Sequence, residues 1–331
     1  MKAVAFSRVG GPEVLTWQEV PEPQVGEGQV LVRVEAAGMN FGDTIIRSGK
    51  APFPLEFPFV TACEASGVVE RLGAGVTGIS VGDRVAAPLF LAGRAGGAAA
   101  ERIAVDAALL IPLPEGLTFE QGAALTVQGI TARWMLDHVP AKGRTVLVHA
   151  AAGGVGALLV QLAKQEGARR IVATASTAEK RAEALRLGAD VAVDYTQADW
   201  SQAVKDATGG LGPDVIYDAV AGDVRKRSLE VLAARGTYVM YGGAGGNAYE
   251  PLDAAQMAGL CMKNQFVTGF SGWLMFGDVR RVRADLTALF EEVRAGRLEV
   301  VIGARHRMQE AAAAHRALES RATTGKVVLV P

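Results

Sequence analysis

Cysteine is scarce in this chain, with two among 331 residues. Two thiols cannot build a disulfide framework or a four-thiolate zinc site. Neither sign of charge is in excess. Lys plus Arg number 34 against 35 Asp plus Glu, a net of −1, which argues against a chain-wide grip on nucleic acid or an anionic membrane. Long apolar runs are missing too. No uninterrupted stretch approaches the ~18 residues of a membrane span. The most apolar one, Ala150 to Val160, is bounded by His149 and Gln161. The apolar run before Ser7 and Arg8 is too short for the core of a secretion signal. The expectation is a soluble, cytoplasmic protein.

What is present points to a sizeable folded chain. The length suggests roughly two domains. Half of the residues are apolar and 21% are charged, so a core can be buried. Glycine is abundant, at 40 residues, without a three-residue period.

Three textures follow one another. The first hundred or so residues read as short strands (Lys2–Phe6, Leu15–Val20, Val30–Val34) between Pro/Gly/Glu-rich turns. Residues 42–48 have room for a helical turn or two. From Thr118 helices and strands alternate: strands at Thr145–His149, Arg170–Thr174, Val191–Asp194, Asp214–Asp218 and Thr237–Tyr241, with helices between them. This is the βαβα pattern of a parallel sheet covered on both faces, placed at residues 121–256. The tail from about Ala258 carries a strand (Gln265–Phe270), an amphipathic helix (Asp278–Ala295), another helix (Gln309–Glu319) and a closing strand (Lys326–Val330). It is expected to pack back onto the N-terminal part.

The strongest local signal is TVLVHAAAGGVGALLVQLAK, from Thr145 to Lys164. A buried strand ends at His149, a turn of small residues follows, and a helix opens. Ala151, Gly153 and Gly156 match G-x-G-x-x-G with alanine in first place. Small residues let backbone approach a pyrophosphate, and a helix N-terminus offers free N–H groups. About 20 residues on, NAD-preferring sites place an acid against the ribose hydroxyl. Here that place is Ala175, followed by Ser176, Thr177 and Lys180. With no carboxylate to repel a 2′-phosphate and an ammonium to hold one, NADPH is the expected cofactor. The plainer reading beside this makes Lys180 an ordinary solvated helix residue and Ser176 the N-cap of the next helix, a role compatible with phosphate contact.

Further landmarks run along the whole chain: AAGMNFGDTIIRSG, GDRV at Gly82–Val85, TVQGITA at Thr126–Ala132, VHAAAGGVG, LGAD at Leu187–Asp190 and the closing TTGKVVL. In order and spacing they resemble the zinc-free quinone oxidoreductase (zeta-crystallin-like) branch of the medium-chain dehydrogenase/reductase superfamily. The resemblance implies an α/β protein with a GroES-like β-rich catalytic domain, built from residues 1–120 with 257–331, around a Rossmann doubly wound parallel sheet domain at 121–256. It implies a cofactor between the domains, and a homodimer formed through an edge strand of the Rossmann sheet, for which Gln265–Phe270 is the candidate.

Zinc-dependent relatives carry a cysteine where this chain has Asn40, and His-Glu where it has Cys63-Glu64. A zinc catalytic site needs three protein ligands, so no metal site is expected. Cys63 reads as a small buried hydrophobe. The resemblance places Asn40, Asp43 and Thr126 near the substrate and nicotinamide, and Ala151, Gly153, Gly154 and Val155 at the pyrophosphate. It places Ser176, Lys180 and Tyr195 at the adenosine phosphate. Tyr241, Gly242, Phe266 and Thr268 border the cofactor, and Arg321, Gly325 and Lys326 close the site. Plainer roles stand beside these: Asn40 and Asp43 as caps of a short helix, Tyr195 as a turn aromatic, Lys326 as a solvated charge.

The chain departs from the branch where its relatives carry substrate-side tyrosines; Ile45 and Ala51 stand there. The implied activity is NADPH-dependent, zinc-independent reduction of a small-molecule acceptor, a quinone or the C=C bond of an α,β-unsaturated carbonyl compound. A zinc-free alcohol or carbonyl dehydrogenase is the alternative within the enzyme class. A nucleotide-binding, crystallin-like protein without turnover is the alternative outside it. The basic cluster Arg280, Arg281, Arg283 reads as a solvated helix face.

Overall fold

The computed structural model describes residues 1–245, 250–272 and 277–331. In chain order the strands and helices begin with β1 (Lys2–Phe6), β2 (Thr16–Glu19), β3 (Gln29–Met39), α1 (Phe41–Arg47), β4 (Phe59–Val60), β5 (Glu64–Leu72), β6 (Arg84–Pro88), β7 (Arg102–Asp106) and β8 (Ile111–Pro112). Then come α2 (Phe119–Ala124), α3 (Ile130–His138), β9 (Thr145–Val148), α4 (Gly154–Glu166), β10 (Arg170–Ala175), α5 (Ala178–Arg186), β11 (Val191–Asp194), α6 (Trp200–Ala207), β12 (Val215–Asp218), α7 (Asp223–Val231) and β13 (Thr237–Met240). The chain closes with α8 (Ala254–Lys263), β14 (Phe266–Gly269), α9 (Val279–Arg294), β15 (Ile302–Arg307), α10 (Ala311–Glu319) and β16 (Lys326–Val330). A π-type turn, Leu125–Gly129, joins α2 to α3.

Contacts divide the chain into two units, Met1–Ile130 with Trp273–Pro331 and Thr131–Gly272. In the first, a seven-stranded sheet runs β15-β16-β3-β5-β6-β8, with β7 also on β3, and a small sheet runs β2-β1-β4. The alternation of β3 brings Val30, Val32 and Val34 to one buried face, where they join Val69, Val85, Ile103, Val327 and Leu329. The C-terminal strand β16 pairs antiparallel with β3, Val328 opposite Gly38, so the last strand of the chain joins the sheet built by β3 and β5. In α9, Arg283 donates to the carbonyls of Ala108 (3.0 Å) and Leu110 (2.6 Å), and Arg281 pairs with Asp285 at 3.5 Å. Arg283 thus ties α9 to the segment before β8, while the Arg281 pair lies on the half-exposed face of the same helix.

The second unit is a six-stranded parallel sheet in the order β11-β10-β9-β12-β13-β14. Chain order reverses between β9 and β12, the switch point at which doubly wound sheets bind ligands. Leu147, Val172, Ile216 and Tyr238, from four neighbouring strands, pack with Trp200 in one core. His149, at the end of β9, is fully buried. It bonds Thr174 Oγ1 and Ser228 Oγ, each at 2.8 Å, and meets Trp200 edge-on. Burial holds its pKa below the ordinary value.

The tail does not return as a whole to the N-terminal part, as its texture suggested. Helix α8 leads into β14, which pairs in parallel with β13 (Thr237 opposite Phe266) and supplies the sixth strand. A helix between parallel neighbours is the usual crossover. The strand does lie at the edge of the sheet, as expected of it. Among the described residues no helix is long and apolar enough to cross a membrane.

Candidate active site

In the first unit the pivot is Glu64, the first residue of β5 and fully buried. Its Oε1 accepts from Asn40 Nδ2 at 2.8 Å and from Lys326 Nζ. Its Oε2 accepts from the Val127 N–H at 2.7 Å and from Thr126 Oγ1. Lys326, the first residue of β16, is 1% exposed. The solvated-charge expectation for it is therefore overturned. Gly325 just before it has φ 60°, and a Cβ there would lie 2.2 Å from the Val301 carbonyl oxygen, so a glycine is needed to turn the chain and send the next side chain inward. Lys326 Nζ also reaches Asn40 Oδ1 at 2.9 Å.

Asn40 precedes α1, and Asp43 sits one turn into it. Asn40 is the N-cap of α1 and forms a capping box with Asp43, in which Asp43 Oδ2 accepts from the Asn40 N–H at 2.7 Å. The Asn40 side chain also reaches Glu64 and Lys326, with Gln128 Nε2 donating to its Oδ1 at 3.4 Å. The helix-cap alternative thus holds for both residues, and the Asn40 amide bonds into the Glu64 cluster as well. Asp43 is buried, which pushes its pKa up to about 7; the Asn40 N–H and Lys326 act the other way, and Glu64 adds to the rise. Cys63 is half-buried rather than buried. Burial of its sulfur, with Asp43 and Glu64 adding, raises its thiol pKa well above the usual value. Among the described residues no group of three or more His, Cys, Asp or Glu side chains is arranged to hold a metal ion.

In the second unit the turn after β9 has the shape its small residues predict. Ala150 takes a positive φ of 51°. Ala151 is buried, whereas Gly153, Gly154 and Val155 are half-buried. Gly153 is the N-cap of α4 and no side chain caps that helix. The first-turn amides are therefore left for a ligand anion. A Cβ on Gly156 would lie 2.3 Å from the Ala150 carbonyl oxygen and 2.8 Å from Ala151 Cα, so only glycine lets α4 seat against the turn. These residues fit a dinucleotide pyrophosphate.

At the end of β10, Ala175 is buried and Ser176 half-buried. The N-cap of α5 is Thr177, not Ser176: its Oγ1 accepts from the Lys180 N–H at 3.3 Å. The shift by one residue leaves the Ser176 hydroxyl outside the cap. Partial burial lowers the Lys180 pKa. Asp194, across from this turn on β11, pairs with Arg181 at 2.9 Å. Tyr195 packs against the core that holds Trp200. Tyr241 donates its N–H to the Asp218 carbonyl at 2.9 Å, and a Cβ on Gly242 would meet the Ala219 oxygen at 2.9 Å. On β14, Phe266 is 61% exposed and Thr268 Oγ1 bonds His138 Nε2 at 3.1 Å. Arg321 stands exposed after α10, at φ 56°.

The structure thus joins Asn40, Asp43, Thr126 and Lys326 in one cluster, and Ala151 to Val155 at one junction of turn and helix start. Sequence reasoning missed Glu64 and Gln128 as members of the first. The available signal was a lone acid in the small-residue run ACEASGVV, and a lone lysine heading KVVLV. Each sits where a strand should be apolar.

The alcohol dehydrogenase GroES-like domain model matches residues 26–115 and the zinc-binding dehydrogenase model residues 154–288. A 2-haloacrylate reductase of a Burkholderia species is 36% identical, over 99% of this chain and 98% of its own length. Quinone oxidoreductase 1 of Escherichia coli strain K12 is 35% identical over 99% of both. Among solved structures, the E. coli quinone oxidoreductase complexed with NADPH superposes with a TM-score of 0.91 at 34% identity, covering 100% of each chain. A mycobacterial protein complexed with NADPH gives 0.89 at 37% identity, again over 100% of each chain.

Proposed function

The chain belongs to the quinone oxidoreductase branch of the medium-chain dehydrogenase/reductase superfamily, and from this we propose that it uses NADPH to reduce quinones or the activated C=C bond of α,β-unsaturated carbonyl compounds. The carrying observation is the turn that opens α4, with its uncapped amides and glycine-walled approach, followed by a β10 end without a carboxylate. NADPH, when bound, supplies the hydride. The amides of Gly154 and Val155 hold the pyrophosphate, with Ala151 and Gly153 keeping the approach clear. Ser176, Lys180 and Tyr195 take the 2′-phosphate end, and Tyr241, Gly242, Phe266 and Thr268 border the cofactor. Asn40, Asp43 and Thr126 serve the reacting end, and Arg321, Gly325 and Lys326 close it.

Zinc does not fit the first cluster. Asn40 offers an amide, not a thiolate, and both Glu64 oxygens already accept from donors, one of them a lysine ammonium. Without a metal to polarise a simple carbonyl, acceptors that are already electron-poor are favoured. Asp43, with its pKa near 7, is the group able to hold a proton near neutral pH for the reduced product.

The protein works as a cytoplasmic homodimer in this proposal. Support comes from the edge strand β14, with Phe266 61% and Val267 40% exposed, a surface suited to pairing, and from two cysteines left as free thiols. A monomer mass by light scattering would count against the dimer. The enzymatic test is loss of NADPH absorbance with quinones, enones and aldehydes in parallel, NADH serving as control. Quinone- or enone-dependent oxidation is expected. Turnover of aldehydes alone would move the assignment to carbonyl reduction, and tight NADPH binding without any turnover would end the enzymatic proposal.

A further inference from the structure

Glu64 has no role in the reaction as set out above, yet it is the residue on which the reacting-end cluster converges. Four donors from three distant segments meet its two oxygens: Asn40 Nδ2 and Lys326 Nζ on one, Thr126 Oγ1 and the Val127 N–H on the other. We propose that Glu64 is a positioning residue, fixing the Asn40 amide and the Lys326 ammonium in one preset arrangement before cofactor or acceptor binds. The proposal rests on the assignment of Asn40 and Lys326 to the reacting end.

A side-chain amide has a donor end and an acceptor end. With Nδ2 on the carboxylate, Asn40 Oδ1 faces Lys326 Nζ at 2.9 Å and Gln128 Nε2 at 3.4 Å. Flipping the amide would set oxygen against carboxylate and N–H against ammonium, two repulsive contacts in a desolvated place. Only one orientation survives. Room for the carboxylate comes from Gly38 on β3, where a Cβ would lie 2.4 Å from Glu64 Oε1. A buried ion pair is a weak device for stability, since apolar side chains of the same volume would fill the space as well. An apolar pair would not orient an amide.

Glu64 also sets the field at Asp43, which faces Glu64 from β5, Lys326 from β16 and the neighbouring Cys63. Removing the Glu64 charge leaves the Lys326 cation to act alone, which favours the ionised form of Asp43.

The test compares wild type with Glu64→Gln and with the charge-free double variant Glu64→Leu/Lys326→Met, the second guarding against a single variant that fails to fold. Melting curves establish folding. Nitrogen-15 spectra, with Asn40→Asp used to assign the signal, follow exchange protection of the Asn40 side-chain amide. Kinetics with NADPH and a quinone give kcat and KM across pH. Expected are loss of Asn40 amide protection in each folded variant, a fall in kcat of ~10-fold or more for Glu64→Gln with KM little changed, and a shift of its activity loss at rising pH toward lower pH. A folded variant that keeps the protected amide, or Glu64→Gln with wild-type kcat and pH profile, overturns the proposal. If wild type reduces none of the acceptors, the functional assignment falls, and amide protection still decides whether Glu64 positions Asn40.

Discussion

Lys326 and Glu64 stand 262 positions apart in the chain and form an ion pair with both side chains out of solvent, 1% and 0% exposed. The pair joins the first residue of the last strand to the first residue of β5, and so ties the C-terminal tail to the N-terminal sheet. Lys326→Met would leave a buried carboxylate with its other donors but no counter-charge. A loss of about 3–5 kcal/mol in urea-unfolding stability is expected. A loss below ~1 kcal/mol would mean that water or another cation compensates.

Gly156→Val places side-chain carbon where the Ala150 carbonyl oxygen lies 2.3 Å from the Cβ position. The start of α4 must shift, and with it the amides proposed for the pyrophosphate. NADPH affinity, followed by nicotinamide fluorescence, should fall at least ~10-fold, about 1.4 kcal/mol, while far-ultraviolet circular dichroism stays native. Unchanged affinity would remove this turn from the cofactor site.

Lys180→Ala separates the two nicotinamide cofactors. If the ammonium holds the 2′-phosphate, NADPH binding weakens by ~10-fold, as expected for one charge-assisted contact. NADH binding should not change. Equal weakening of both would assign Lys180 to a different part of the ligand or to helix stability.

The pKa of Asp43, pushed up to about 7 by burial, gives a signed pH dependence. A carboxyl whose folded pKa lies above its unfolded value favours the folded state while protonated, and this contribution is lost as pH rises through about 7. The proton it can deliver is lost over the same interval. Activity in single-turnover measurements should therefore decline from pH 6 to pH 8, and Asp43→Asn should lower the rate and flatten the decline. An unaltered profile in Asp43→Asn would assign the proton to solvent.

His315, on α10, is fully buried, and neither ring nitrogen has a hydrogen-bond partner among the described residues. Burial lowers its pKa to about 3, with nearby Arg47 contributing. Arg47 itself is paired with Glu319. For a histidine held neutral in the fold the sign is opposite to that of Asp43. Stability is complete above about pH 6.5 and falls as the solution is acidified toward pH 3. At pH 5 the His315→Met variant should gain about 2 kcal/mol relative to its effect at pH 8. The same difference between variant and wild type at both pH values would contradict this.

The part of the site written in consecutive residues was legible in the sequence. The turn from Ala150 to Gly156 needs only a strand, small residues and a helix start, all within one local segment, and its geometry follows from sterics. The strands of the parallel sheet were legible for the same reason, because apolar runs between amphipathic helices carry their own period. The N-cap of α5 is Thr177, one residue beyond Ser176, to which the plainer reading gave that role. Both hydroxyls suit the position, and only the backbone angles at the strand end choose between them.

The sequence by itself determined the parallel sheet, the phosphate turn and the lack of an acid at Ala175, since each is set by neighbouring residues and the sterics of one short stretch. Tertiary structure alone decided the rest. It buried Lys326 against Glu64, and it brought the Asn40 amide to that pair. These outcomes depend on which strands lie side by side and on how far water is excluded between them. No local window of the chain contains that information, because the interacting charges become neighbours only when β3 pairs with β16 on one side and β5 on the other.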